Sequence, residues 1–480
     1  MNVRAVDIAE RVGHPIIDAD GHILEFTPAA LPYLREAMGP VVFERYRERM
    51  SPLRAAMASP TLEERRMSRV PQAGWWGSPS RHAIDLATSM APRLLHERLG
   101  DLGFSYAILY ATSGMGSAGV QDDEVRIGLC RGFNDFFASV YGPFHDRITV
   151  AGIIPMNTVE EAVAELEHCK QIGLKVVGIP NGVLRPIKAP QASPWLLPGQ
   201  SHWWDFFGLD SEHDYDPVWA KFEELNYAVT VHGGIGAPPT WLYTSITSWM
   251  ANHIGSFAGM TYPTCKSLYL GGVTRRFPNV VFAFQECGVG WAPTLLADTT
   301  EHWEKRNIAQ VEEIYDPALL DVAELASLVR QYAPELTEGV EGDLEELLVA
   351  CTLRGTPPED HDEFAAMQIT KKSDLADLFV PNFYFGCEAD DRSTAYAYSP
   401  SNAFGAEYKP MLGSDISHFD VPDFSAVIPE AYKMVEKGIL TAEQFKKFSF
   451  TNVCELLQRA DPEFFAGTAL EGAVDAPVAG

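Results

Sequence analysis

Near the start of a 480-residue chain, PIIDADGHILE (15–25) sets Asp18, Asp20 and His22 directly behind an apolar run. Asp20 and His22 stand two apart at the end of an extended segment, so their side chains point the same way and can chelate one ion. Far downstream, His232 closes TVHGG and Asp415 closes MLGSD, each after another apolar run. If these runs end at one mouth, a carboxylate, two imidazoles and a second carboxylate converge there. Such a donor set suits zinc, manganese or iron(II) better than magnesium or calcium.

Convergence requires a scaffold that brings distant strand ends together. Short apolar runs recur at IIDAD, 106–111, 148–155, 174–180, 227–234, 280–287, 383–388 and 409–415, separated by segments with helical spacing. VEEAVAELEHCKQIG, for example, carries apolar residues at helical intervals and stops at Gly173. Eight strand–helix units predict an α/β fold, a (β/α)8 TIM barrel, whose strand C-termini form the mouth.

A bare barrel needs roughly 250 residues, so this chain carries insertions. They are expected at about 40–90, at 181–216 as a long aromatic loop, and at 304–380 as an acidic helical excursion. One metal-dependent barrel domain is expected over 1–465, with a frayed, small-residue tail over 466–480.

The seven cysteines are odd in number, scattered and free of CxxC spacing, which argues against a disulfide framework and a thiolate zinc site. A net charge of −28 opposes nucleic acid or an anionic membrane as partner. The sequence shows no apolar run long enough to span a bilayer and no leader-like N-terminus, so a cytoplasmic address is expected. The expected partner is a small-molecule substrate, with the chain acting as a homo-oligomer, a dimer by expectation.

The chain resembles the amidohydrolase superfamily, in particular the amidohydrolase family 2 branch that includes aminocarboxymuconate semialdehyde and resorcylate decarboxylases. DADGHILE, DYDPVWAKFEELNYAVTVHGG, GGVTRRFPNVVFAFQECGVGWAPTLL and MLGSDISHFDVPD followed by FSFTNVCELL carry the resemblance, which spans about 15–458. It implies Asp20, His22, His232 and Asp415 as metal ligands, the same residues that barrel geometry selects. Two departures stand out. Binuclear members bridge their metals with a carboxylated lysine after the fourth strand, where this chain has Pro180 and Asn181, with Lys175 at the strand's other end. The branch's decarboxylases carry histidine after the sixth strand, where QECG places Glu286, able to ligate a metal or take a proton.

Other residues have both a chemical and a plain reading. Glu286 is a catalytic carboxylate and metal ligand, or a helix cap. His253 and His418 act as acids or bases on substrate, or are ordinary loop histidines. Asp18 is expected on the strand's other face, orienting a helix or an arginine, with support of the metal ligands as the lesser alternative. Glu25 and Glu388 face the mouth or solvent, and His302 packs a helix. Arg392 meets a substrate carboxylate or the acids beside it. Trp75, Trp76, Trp203, Trp204, Trp241 and Trp249 are expected to wall an apolar pocket above the mouth.

Together these point to one divalent transition ion (Zn, Mn or Fe), with a second to be held by Glu286 helped by His253 or Glu388. The expected activity is hydrolysis of an amide, ester or thioester by metal-activated water, with Asp415 or Glu286 as base. The alternative is non-oxidative decarboxylation of an aromatic or unsaturated acid.

Overall fold

The computed structural model describes residues 4–58, 60–72, 81–234, 244–352 and 360–474, with 49–58 described as backbone only. Trp75, Trp76 and Trp241 lie outside the described residues.

Parallel strands form the centre. Ile17–Ile23, Tyr106–Ala111 and Ile148–Val150 pair in that order, and the third strand continues past Ala151 as Gly152–Ile153 into a second sheet. That sheet runs on through Val177–Ile179, Val229–His232, Phe282–Gln285, Phe383–Glu388 and Lys409–Gly413. Backbone bonds from His22 N to Ile416 O and from Asp415 N to Asp20 O close the last strand onto the first. All eight expected strands are present, and closure joins the first strand of the barrel to its last.

The strands are apolar because both of their faces are covered. Phe282, Phe284, Phe383 and Phe385 are fully buried and stack ring against ring, with Trp219 edge-on to Phe282 at 5.6 Å between centroids. Alternating with this packing, Tyr110, Thr230 and Gln285 form a polar floor inside the barrel. Gln285 Nε2 donates to Ala19 O and to Tyr110 Oη, both at 3.0 Å, which ties the sixth strand to the first two.

The segment expected as a loop after the fourth strand contains an antiparallel hairpin, Val183–Pro186 against His202–Asp205. Arg185 pins it: its guanidinium meets Asp205 at 2.6 Å, Tyr215 Oη at 2.7 Å and Asn157 O at 3.1 Å. Aromatic composition hid this hairpin, because its pairing depends on one buried arginine. Helices over 27–58 and 62–68 follow the first strand, and short helices fill 308–352 before the seventh. Nor is the start of the expected tail free, since Leu470 is buried and Ala469 N donates to Asp146 O. Among the described residues, no helix is long and apolar enough to cross a membrane.

Candidate metal centre

The first strand carries a register shift between Asp18 and Gly21 against its neighbour. Such a bulge re-aims side chains at a strand end. Only glycine fits at position 21: a Cβ there would lie 2.5 Å from Asp18 Oδ2 and 2.9 Å from Leu109 Cδ2. The consequence is that Asp20 and His22, both buried, turn together into the mouth.

His232 enters from the end of the fifth strand, paired in register with Gln285, so Glu286 leads off the turn beside it. Asp415 arrives two residues after the eighth strand ends. Glu286 and Asp415 both hold left-handed backbone, φ 52° and φ 50°. That conformation costs a non-glycine residue about 1–2 kcal/mol, and strain of this kind collects where function requires it.

Distances define a single cluster. Asp20 Oδ1 lies 3.7 Å from His22 Nε2 and 3.4 Å from His232 Nε2. His22 Nε2 is 3.3 Å from Asp415 Oδ1, and His232 Nε2 is 3.5 Å from Glu286 Oε2. Donor atoms of Asp20, His22 and His232 all lie within 4.8 Å of one another, as do those of His22, Glu286, Asp415 and His418, with His22 common to both sets. None of these contacts is aligned as a hydrogen bond. Asp20 Oδ1, both ring nitrogens of His22, His232 Nε2, Glu286 Oε2 and both oxygens of Asp415 are buried without partners.

Unpartnered buried polar groups cost one to several kcal/mol each. A divalent cation would satisfy them together, so the residues fit a metal. Their protonation also fits. Burial, with His418 and His232 adding to it, pushes His22 well below the ordinary imidazole range, which leaves the neutral form that binds metals. His232 has Nδ1 3.2 Å from Gly233 O, which favours the tautomer with a free Nε2 lone pair.

Residues 17–335, more than half the chain, match the family model for amidohydrolases. The chain belongs to the amidohydrolase family. No curated protein matches it. Among solved structures, the amidohydrolase is similar to the IDCase of Metarhizium anisopliae, with 11% identity over 93% of this chain and 98% of that one and a TM-score of 0.51. An amidohydrolase of Mycobacterium avium subsp. paratuberculosis K-10 aligns at 16% identity over 78% of this chain and 77% of that one, TM-score 0.47. A 5-carboxyvanillate decarboxylase of Novosphingobium aromaticivorans, solved with manganese and a nitrobenzoic acid, aligns at 13% identity over 93% and 97%, TM-score 0.45. At these identities the likeness is one of fold.

Around the amidohydrolase cluster, His418 lies closest. Its ring stacks on His22 at 3.8 Å, its Nδ1 is 2.5 Å from Asp415 Oδ1, and its Nε2 is 3.4 Å from Thr112 Oγ1. Burial lowers its pKa to about 4, so it too is neutral. Thr112 is itself held, since Glu25 accepts the backbone N–H groups of Thr112, Ser113 and Gly114. Glu25 therefore braces the loop after the second strand and faces neither mouth nor solvent.

Asp18 also differs from expectation. It meets neither a helix nor an arginine; its oxygens accept from Asp20 N, Ser414 N and Ser414 Oγ. Lys175 donates to Phe464 O at the opposite end of the barrel, away from any bridging position.

A cleft of about 600 Å³ opens beside the cluster, lined among others by Glu286, Glu388, Asp420, His253, Phe257 and Trp291. His253 reaches the rim, 3.6 Å from Asp420 and stacked on Trp249. Trp203 and Trp204 do not line it; they belong to the hairpin. Arg392 is exposed, and His302 bonds Asp298 O on the surface of its own helix. The sequence motifs do not single out Asp420, although its place five residues after Asp415 is a usable signal.

Proposed function

We propose that this amidohydrolase removes CO2 from a small aromatic or unsaturated carboxylic acid, with Asp20, His22, His232 and Asp415 holding one manganese, zinc or iron(II) ion. The observation that carries the reading is Glu286. Its side chain is 2% exposed, its Oε2 has no partner, and it lies between the ligand cluster and the open cleft.

Asp20 and Asp415 bring the negative charge that balances a divalent ion. Glu286 is left to its burial, the largest influence on it, which raises its pKa well above the ordinary carboxyl range and favours the protonated form. A buried neutral carboxyl beside a reacting carbon is a proton donor.

Bound there, the metal supplies positive charge to the oxygens of the substrate. The protein's own groups do the rest. As the bond between the substrate carbon and its carboxylate breaks, the electron pair stays on that carbon and takes the proton of Glu286, while CO2 departs. Water in the cleft returns a proton to Glu286. His418 lies between Thr112 and Asp415, and Phe257 and Trp291 offer apolar walls to an unsaturated substrate. The hydrolytic alternative needs Glu286 to begin as a base, and its burial opposes that.

The test is a panel of aromatic and unsaturated acids, esters, amides and thioesters offered to the manganese-loaded protein, with CO2 and acid release followed together. CO2 from at least one acid supports the reading. Acid release from an ester, amide or thioester without any CO2 replaces it with hydrolysis.

A further inference from the structure

The cleft beside the metal cluster is larger than a single aromatic ring requires. At about 600 Å³ it falls in the range of roughly 300–1,000 Å³ that houses drug-sized ligands. A one-ring acid held at the cluster would leave much of it filled with water.

One wall runs from a metal ligand out to the rim as a ladder of rings. Phe257 meets the His232 ring edge-on, with centroids 6.2 Å apart, and His253 meets Phe257 at 5.5 Å. Trp249 stacks on His253 at 4.3 Å and has Phe419 edge-on to it at 4.6 Å. Local sequence builds most of this wall. Trp249 and His253 stand four apart in the helix Trp249–His253, capped by Ser248, and Gly255, in left-handed backbone, turns the chain into the helix Ser256–Leu270 that carries Phe257. From this stretch His253, Ile254, Phe257 and Ala258 face the cleft.

A second observation lies at the outer end of the wall. Ile254 lines the cleft and is nonetheless 78% exposed, while Met250, whose carbonyl accepts from Ile254 N at 3.0 Å, is 47% exposed one turn before it. A lone exposed apolar side chain needs no explanation, but apolar surface that runs on into a groove marks a binding site. Here it continues from the ring wall that begins at His232. Glu388 and Asp420 also line the cleft, and an uncharged ring makes no demand on either.

We propose that the substrate is an acid of two linked or fused rings, the first beside Phe257 and the second lying along the wall to cover Ile254. Its carboxylate end rests on the decarboxylation reading; its second ring rests on the size of the cleft and the apolar wall alone. A one-ring acid leaves Ile254 in water. A second ring removes that surface, and its own, from water, and affinity rises with the apolar area so buried.

Binding and turnover separate the two ideas. Benzoate, biphenyl-3-carboxylate and biphenyl-4-carboxylate are titrated into the manganese-loaded protein by calorimetry, and CO2 release from one-ring and two-ring acids is followed separately. At least one two-ring acid should bind about tenfold or more tighter than benzoate. Ile254→Ser should shrink that advantage about threefold or more and leave benzoate unchanged. Because Ile254 is exposed, the substitution spares the fold, and general loss of structure would weaken both ligands alike. Benzoate binding as tightly as both two-ring acids overturns the proposal, as does a two-ring advantage that Ile254→Ser leaves whole. A two-ring advantage that falls in Ile254→Ser, without CO2 release from any acid, leaves the second-ring site standing and removes decarboxylation. CO2 release from one-ring acids, with no two-ring advantage in binding, does the reverse.

Discussion

Asp18 holds Ser414 twice, accepting from its backbone N at 2.9 Å and from its hydroxyl at 2.5 Å. Ser414 immediately precedes Asp415, and Asp18 also accepts from Asp20 N at 3.2 Å. One buried carboxyl thus braces the backbone of two metal-ligand positions where the last strand closes on the first. Asp18→Ala strands those backbone donors and should cost about 2–5 kcal/mol in urea unfolding, from one to three per buried group. Asp18→Asn keeps an acceptor for Ser414 N and should cost less than half as much. Equal losses in the two variants would show that the side chain fills space and braces nothing.

Asp18 also sets a pH dependence. Its folded-state pKa is raised from the ordinary 3.8 to about 7, chiefly by burial. The folded chain therefore holds a proton that the unfolded chain releases, and stability contributed by this group falls as pH rises through that window. In metal-free protein the fall is at most about 4 kcal/mol, because each tenfold change in proton affinity is worth about 1.4 kcal/mol. Chemical denaturation from pH 4 to pH 8 should show the decline, and Asp18→Asn should flatten it. An unchanged slope in the variant would assign the decline to other carboxyls.

Gly21→Ala tests the bulge. Its Cβ would meet Asp18 Oδ2 at 2.5 Å and Leu109 at 2.9 Å, so the strand end must shift. The variant should lose about 1–3 kcal/mol of stability and, more tellingly, bind manganese more weakly, because Asp20 and His22 move with the strand. Manganese affinity equal to that of the unaltered protein would mean the bulge does not aim the ligands.

Much of this architecture is legible in the residues. YAILYA is a buried strand because a barrel strand is covered on both faces, and Asp20, His22, His232 and Asp415 stand out because few residue types bind metals and all four end apolar runs. What stays hidden depends on partners. Ser414 lies 396 residues from Asp18, and no local pattern announces that pairing. The hairpin over 183–205 reads as a loop because its two strands are short and its anchor is the ion pair of Arg185 with Asp205. Glu25 resembles a mouth residue until its three backbone donors are seen. The cleft's carboxyl lining is likewise assembled from separate segments, since Glu286, Glu388 and Asp420 belong to different strand ends.

His418→Phe keeps the stacking partner of His22 and removes the nitrogens that face Asp415 and Thr112. Metal content should hold near that of the unaltered protein while turnover falls about tenfold to a hundredfold, toward the low end of what a catalytic proton-handling group contributes. Loss of metal in parallel with activity would make His418 a ligand instead.

The most direct measurement is metal content, by plasma mass spectrometry, of protein purified after manganese loading, for His22→Ala, His232→Ala and Glu286→Gln side by side with CO2 release. The two histidine variants should be stripped of the ion, since losing an imidazole leaves the remaining donors unable to hold it against water. Glu286→Gln should retain the ion and lose turnover by about a hundredfold or more, the scale of a missing proton donor. Full occupancy in His22→Ala and His232→Ala, or wild-type CO2 release from Glu286→Gln, would contradict the metal centre and its acid respectively.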